Sequence, residues 1–330
     1  METKGAFVWQ GTVPLTKGFP KRGTIAIMTD RTSHDGASWW QRAEAPTWAM
    51  IFAVYAGFGL VTWNYQALPW WSILPLGAWF VCWQGSLQHE MLHGHPTRIK
   101  AINSLIGYPS LWLWLPYPIY RESHLEHHND EALVLPGIDP ESYYVSAEDW
   151  ARAPSWRRFL LRARSSLAGR FILGPAMAYV ELFQVETKRL SEGDRSHVIP
   201  WLVHIPVVAA VLYWAIVVCG IPFWVYVTCF AYPGLSLTML RSFAEHRPAI
   251  EPGARIVVVE TSLPMRLLYF NNNYHAPHHA EPGRAWYELH DWYQAERQAF
   301  LKGNGGYVFK GYGEQFRRFL FTPKDSPVHP

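Results

Sequence analysis

Two stretches of the chain contain no Asp, Glu, Lys or Arg: the 45 residues between Glu44 and Glu90, and the 45 between Arg195 and Arg241. One helical crossing of a bilayer needs about 20 apolar residues, so each run has room for two crossings and a tight turn. The turns are marked by "QALPWW" (66–71), with Pro69, and by "CGIP" (219–222), with Gly220 and Pro222, residues that end helices and start turns. Helices are therefore expected near 46–66, 70–89, 199–219 and 222–241. Trp48, Trp63, Tyr65, Trp70, Trp71, Trp201 and Trp224 crowd their ends, where aromatic rings anchor at a lipid interface. A chain of 330 residues with 49% hydrophobic content could instead fill a large soluble core. The segregation of charge, rather than the amount of apolar residue, selects the membrane.

The fold class expected is all-α and integral to the membrane, with four transmembrane helices in two hairpins and a helical cytoplasmic cap. The connectors at 66–70 and 219–222 carry no basic residue, whereas Arg98, Lys100, Lys188, Arg189, Arg195, Arg241 and Arg247 flank the opposite ends, which makes that side cytoplasmic by the positive-inside rule. The organisation follows: residues 1–44 an N-terminal cytoplasmic segment, 45–89 the first hairpin, 90–195 a cytoplasmic or interfacial segment, 196–241 the second hairpin and 242–330 a C-terminal cytoplasmic segment. The first 44 residues, with "GTVPLTKGFPKRGT", have no apolar stretch of signal-peptide length. Cys82, Cys219 and Cys229 fall within or at the ends of the expected spans, giving neither a disulfide framework nor a CxxC metal pattern. A net charge of +3 gives no reason to invoke nucleic acid.

Ten of the fifteen histidines gather in four places: "HEMLHGH" (His89, His93, His95), "HLEHH" (His124, His127, His128), "EH" (His246) and "HAPHH" (His275, His278, His279). All four lie at the cytoplasmic ends of the spans or in the cytoplasmic segments. On a helix His89 and His93 project about one turn apart from one face, and HxxHH adds a third imidazole to such a face; Pro277 is tolerated if "HAPHH" opens a helix. A lone HxxxH is more often a pair of ordinary histidines than a ligand pair. Two HxxHH boxes with an HxxxH offer more imidazoles than one tetrahedral ion can use, so two metal ions are implied, while imidazole alone suits zinc, iron, copper and nickel alike. Glu90, Glu122, Glu126 and Asp130 stand beside the boxes as possible partners for the far ring nitrogens.

HxxxH, then HxxHH about thirty residues later, then two spans and a final HxxHH resembles the membrane fatty-acid desaturase superfamily, over residues 45 to 285. The resemblance implies a non-haem di-iron centre at the cytoplasmic face, which uses dioxygen and two electrons from a separate carrier to attack an unactivated C–H bond. Carried over position by position, it makes His89 and His93 the first box, His124, His127 and His128 the second, His275, His278 and His279 the third, and His246 the further ligand between the second and third. His95 matches no ligand position and is placed near the site. The activity implied is desaturation of an acyl chain delivered as acyl-lipid, acyl-CoA or acyl-carrier protein; hydroxylation or ketolation by the same centre is the nearest alternative. A non-enzymatic metal transporter or sensor is the alternative of another class, and it predicts ionisable ligands inside the spans.

No CxxCH, cysteine cluster or GxGxxG is present, so electrons are expected from a ferredoxin-like or cytochrome-type donor with its reductase. "RRFLLRARSSLAGR" (157–170) is expected as a basic amphipathic helix against anionic headgroups, or alternatively as a docking face for an acidic carrier. "GYPSLWLWLPYPIYRESH" (107–124) is expected to dip along the interface and line the substrate tunnel, with a fifth partial span as the alternative. His204, inside the third span, is either functional or a neutral imidazole bonded between helices. The asparagines of "NNNYH" (271–275) are read as helix caps, with one of them orienting a metal-bound water as the alternative, and His34, His197, His290 and His329 as surface groups. Gly303, Gly305 and Gly306 are read as a flexible turn.

Overall fold

The structure is a computed structural model that describes residues 38–129 and 131–330; His34, Asp130 and "GTVPLTKGFPKRGT" lie outside the described residues. It is mostly helical. The first charge-free run forms α1 (Ala45–Trp63) and α2 (Trp70–Leu92), followed by α3 (Lys100–Gly107), α4 (Tyr117–His127), α5 (Ser155–Arg164) and α6 (Leu167–Ser191). The second run forms α7 (Val198–Val218) and α8 (Phe223–Glu245), with π-helical stretches at Tyr213–Val218 and Tyr226–Ala231. The chain closes with α9 (Leu263–Leu268), α10 (His275–Ala280), α11 (Trp286–Gly303) and α12 (Tyr312–Phe319). Two short parallel strands, β1 (Val258–Val259) and β2 (Val308–Phe309), pair between these C-terminal helices.

Among the described residues, α1, α7 and α8 are long and apolar enough to cross a membrane. Only 11% of the apolar window of α7 is buried within the protein, so protein packing does not account for its apolar surface, and lipid suits it. α2 has the length, at 23 residues, but its last two turns bury Gln84, Ser86, Gln88, His89 and Glu90. Arg241, counted above as a flanking charge, lies inside α8, buried, with Nε 2.7 Å from Glu245 Oε1.

α2 and α8 cross with their backbones in contact. A Cβ on Gly77 would lie 2.4 Å from the Cys229 carbonyl oxygen, and one on Gly234 would lie 2.5 Å from Val81 Cβ. Small residues at a crossing allow this approach. It sets the helix bearing His89 against the helix that leads to His246.

The segment "YPSLWLWLP" (108–116) neither lies along a surface nor forms a helical span. It is an irregular strap that carries Leu111 and Trp112 into the core, against Val81, Ile221, Val225 and Tyr226, and buries Leu115 as well. Buried irregular backbone requires a partner for each carbonyl, and the surrounding helices supply them. Tyr55 donates to the carbonyl of Ile106, Gln88 to Gly107 (2.7 Å) and Pro109 (3.2 Å), Tyr226 to Leu111 (2.8 Å) and Tyr179 to Trp112 (2.9 Å). The ring N–H of His204 donates to the Leu113 carbonyl (3.2 Å), so His204 is bonded, but to the strap rather than to a second helix. Tyr226→Phe, which leaves the Leu111 carbonyl without its donor, is expected to cost about 1–3 kcal/mol, measured as a loss of unfolding free energy in detergent.

The basic stretch 157–170 is two helices rather than one, broken at Ser165–Ser166. Arg157, Arg158 and Arg162 stay on α5 beside exposed Trp156 and Phe159, a surface suited to a lipid interface. Arg164 turns inward to Glu181 (2.7 Å) and the Tyr143 carbonyl (2.9 Å), and buried Arg170 lies over the Tyr143 ring at 4.1 Å.

Candidate metal centre

A residue advances about 100° around an α-helix. Residues i and i+4 therefore differ by about 40° on one side, while i+3 lies about 60° to the other side of i. This small difference divides each HxxHH box. His124 and His128 join His89, His93 and His278, with ligand atoms all within 4.8 Å of one another; His127 joins His246, His275 and His279 within the same limit. The expectation that the i+3 member adds to its neighbours' face is thus corrected: the boxes exchange members, the second giving His127 to the group centred on the third, and the third giving His278 in return. The nine histidines are brought together in two touching groups, with the rings of His128 and His279 4.3 Å apart.

The ring nitrogens converge. His246 Nε2 lies 2.9 Å from His127 Nε2 and 3.0 Å from His275 Nε2, and His128 Nε2 lies 3.1 Å from His124 Nε2 and 3.2 Å from His278 Nε2. The far nitrogens of three rings face acceptors: His124 Nδ1 meets Glu141 Oε1 at 2.9 Å, His127 Nδ1 meets Asp139 Oδ1 at 2.9 Å, and His275 Nδ1 meets Asn272 Oδ1 at 3.0 Å. A neutral ring that donates through Nδ1 has a bare lone pair at Nε2. Lone pairs aimed at one another repel unless a cation lies between them. Ligand nitrogens bound at about 2 Å and at right angles around one ion are about 3 Å apart, the spacing seen here. His93 Nε2, buried with no hydrogen-bond partner, points to the same need. The residues fit two metal ions.

The electrostatics agree. Burial, reinforced by neighbouring imidazoles, pushes His128, His246, His275 and His278 well below the usual histidine range, which keeps them neutral and able to ligate. Burial also lowers His127, but Glu141 and Asp139 outweigh it and take that ring up to about 9. For Glu141, burial raises the carboxyl and the charges of His124 and His127 more than reverse this, holding it at about 2. Without an ion His127 is therefore protonated at neutral pH, and its Nε2–H rather than a bare lone pair faces His246 Nε2; a metal would replace that proton.

The groups that face the far ring nitrogens are not Glu90, Glu122 and Glu126, although one of those groups, Glu245, adjoins His246. Glu90 accepts the Trp286 amide (3.0 Å), Glu122 faces His197 (3.5 Å) and Glu126 is exposed. Asp139, Glu141, Glu245 and Asn272 take that place, with Glu245 Oε1 3.6 Å from His275 Nδ1. Asp139 is itself fixed by the Val134 and Glu141 amides at 2.8 and 2.9 Å. The asparagines are not caps: Asn272 Nδ2 lies 3.3 Å from His89 Nε2, while Asn271 and Asn273 donate to the carbonyls of Trp286 and Val259. Lys324 donates to the His246 carbonyl (2.9 Å). His95 belongs to neither group; it is held by Glu44 (2.9 Å) and the Gly283 carbonyl (3.1 Å). His197, expected at the surface, ties Glu186 (2.8 Å) to Glu122 and so joins α6 to α4. His290 meets the Tyr274 hydroxyl at 2.8 Å.

Apolar helices that end in two groups of inward-facing imidazoles define a membrane-associated polyhistidine metal-site protein. The sequence matches the fatty acid desaturase family over residues 65–311, and the chain belongs to that family. The family implies an oxidoreductase of desaturase or hydroxylase type acting on lipid in a membrane context; it is typically metal-dependent, and the two histidine groups could bind metal. No curated protein matches the sequence.

Proposed function

We propose that the chain is an oxygen-dependent acyl desaturase in which His89, His93, His124, His128 and His278 hold one iron ion and His127, His246, His275 and His279 hold a second. The observation that carries this reading is the exchange of members between the HxxHH boxes, which yields two adjacent imidazole groups. When bound, the iron pair supplies, with dioxygen and two electrons, the oxidising power to remove hydrogen from a methylene that has no acid or base handle. The chain supplies position. Asp139, Glu141 and Asn272 hold protons on Nδ1 and aim Nε2 inward, and the burial of the rings excludes water.

In this reading α2 is a fourth crossing whose polar end projects into the protein. Both hairpins direct their histidine-bearing ends to the cytoplasm, where 90–195 and 242–330 form the cap; residues 1–44 lie on the same side. The basic residues at those ends support this orientation. Electrons come from a ferredoxin-like or cytochrome-type donor with its reductase, and the acyl chain arrives on a lipid, coenzyme A or acyl-carrier protein.

The test is the lipid profile, by mass spectrometry, of a host expressing the chain with a ferredoxin system, beside hosts carrying His127→Ala or His278→Ala. A new species lighter by two hydrogens, absent from both variants, is expected. A species heavier by one oxygen assigns hydroxylation instead, and an unchanged profile with iron bound overturns the acyl substrate. Asp139→Asn, which weakens the hold on His127, is expected to lower iron affinity about 10–100-fold, measured by competition with a chelator.

A further inference from the structure

A cleft of about 550 Å³ opens between α6, α8, α9 and α12, on the side of α8 away from the strap. Cavities of this size hold drug-sized or lipid-sized ligands. Its walls are Phe171, Leu237, Leu240, Met265 and Phe316. Exposure falls along it, from Lys310 and Gly313 in the open to Tyr312, which is 5% exposed. Polar residues share the lining, Glu260, Thr261, Ser262 and Lys310, and Phe316 is the exposed large apolar residue among them.

The inner end points toward the histidines. The Tyr312 hydroxyl is buried without a hydrogen-bond partner, and Glu245 and Arg241 are the charged groups that act on it. Those two form an ion pair, and Glu245 lies 3.6 Å from His275 of the second imidazole group. Beneath Tyr312 the floor of the cleft is packed core: its ring meets that of Tyr269 at 5.3 Å between centroids, within the cluster that also holds Leu240 and Cys82. At the mouth, Glu260 would oppose an anion, but it is engaged by Arg297 (2.6 Å) and Tyr293 (2.7 Å). Lys310 is left as the charge that an entering ligand meets.

We propose that this cleft is the entry site for the substrate, an unbranched acyl chain with an anionic head, whose head pairs with Lys310 at the interface and whose tail runs along Leu237 and Leu240 toward Tyr312. The assignment rests on the reading that the chain oxidises an acyl lipid. It places entry at the last turns of α8, open sideways to the bilayer, so that the tail passes from lipid to protein without crossing water.

The test uses the purified full-length chain in lipid nanodiscs and a long-chain fatty acid bearing a terminal diazirine, with photolabelled peptides identified by mass spectrometry. Labels are expected on 237–241 and 312–316. Lys310→Glu is expected to weaken capture of the acid about fivefold and to leave capture of its methyl ester unchanged. Gly313→Trp, at a position where an added Cβ meets nothing within 4 Å, is expected to block both probes while leaving the melting temperature in place. Labels confined to the strap at 108–116, or equal loss of acid and ester with Lys310→Glu, overturn the proposal. Because capture is read without turnover, product formed by a chain that is never labelled in the cleft overturns this site alone. Labelling of the cleft, with no lipid product from a host that supplies a ferredoxin system, supports the cleft and overturns the oxidation reading.

Discussion

Replacement of His246 by alanine is expected to abolish lipid oxidation and to lower the retained iron from about two ions per chain to about one. His246 is the meeting point of its group: its Nε2 lies 2.9 Å from that of His127 and 3.0 Å from that of His275. It stands on extended backbone immediately after α8, with φ −130° and ψ 151°, so no helical neighbour can swing into its place. Removing it leaves His127, His275 and His279 without the ring on which two of them converge, while the five imidazoles of the other group keep their contacts. Metal analysis of the purified protein and the lipid profile of the host report the two effects separately. His95→Gln supplies the contrast. It disturbs a bond to Glu44 and should retain both ions, because His95 lies in neither group. Full iron and full activity in His246→Ala would remove this histidine from the site.

The second large effect is expected far from the metal. Gly77→Ala puts a methyl group 2.4 Å from the carbonyl oxygen of Cys229 and 2.8 Å from the Phe230 ring. The nearest atom is backbone, which cannot rotate away, so α2 and α8 must separate. Overpacking of this kind costs about 1–3 kcal/mol. The cost is also positional, since α2 ends in His89 and His93 while α8 leads into His246. Iron content is therefore expected to fall together with thermal stability, and a variant that melts early but retains all its iron would show that the crossing does not position the site. Gly59→Ala, where an added Cβ meets nothing within 4 Å, is the matched control and should be neutral.

Much of this architecture is legible in the linear chain, because the bilayer and the helix each impose a period. The charge-free runs locate α1, α2, α7 and α8 to within a few residues; α2 runs on to Leu92 and α8 to Glu245 because polar side chains there have buried partners. The histidine boxes are visible for the same reason, as i, i+3 and i+4 describe a helix surface. Sequence spacing does not show which side of the helix each imidazole serves, since that depends on what packs against it, and so the exchange of His127 and His278 was not readable. The partners of the far ring nitrogens were also hidden. Asp139 reaches His127 across 12 residues and Glu141 reaches His124 across 17, through an irregular loop with no period. Lys324 reaches the His246 carbonyl across 78. Proximity in sequence favoured Glu90, Glu122 and Glu126, but Glu90 and Glu122 meet other partners and Glu126 is exposed.

The strap also constrains how the protein can be made. Its carbonyls draw donors from Gln88, at Pro109, already synthesised when the strap appears, but also from Tyr179, His204 and Tyr226, which follow it by many residues. In a membrane an unpaired carbonyl costs several kcal/mol, so the strap cannot settle among the helices until the nascent chain has delivered Tyr226. The strap runs directly into α4, which carries His124, His127 and His128. Closure of the histidine cage is therefore a late event in biogenesis, and a chain arrested before its last apolar helix would present its second histidine box on an unanchored arm.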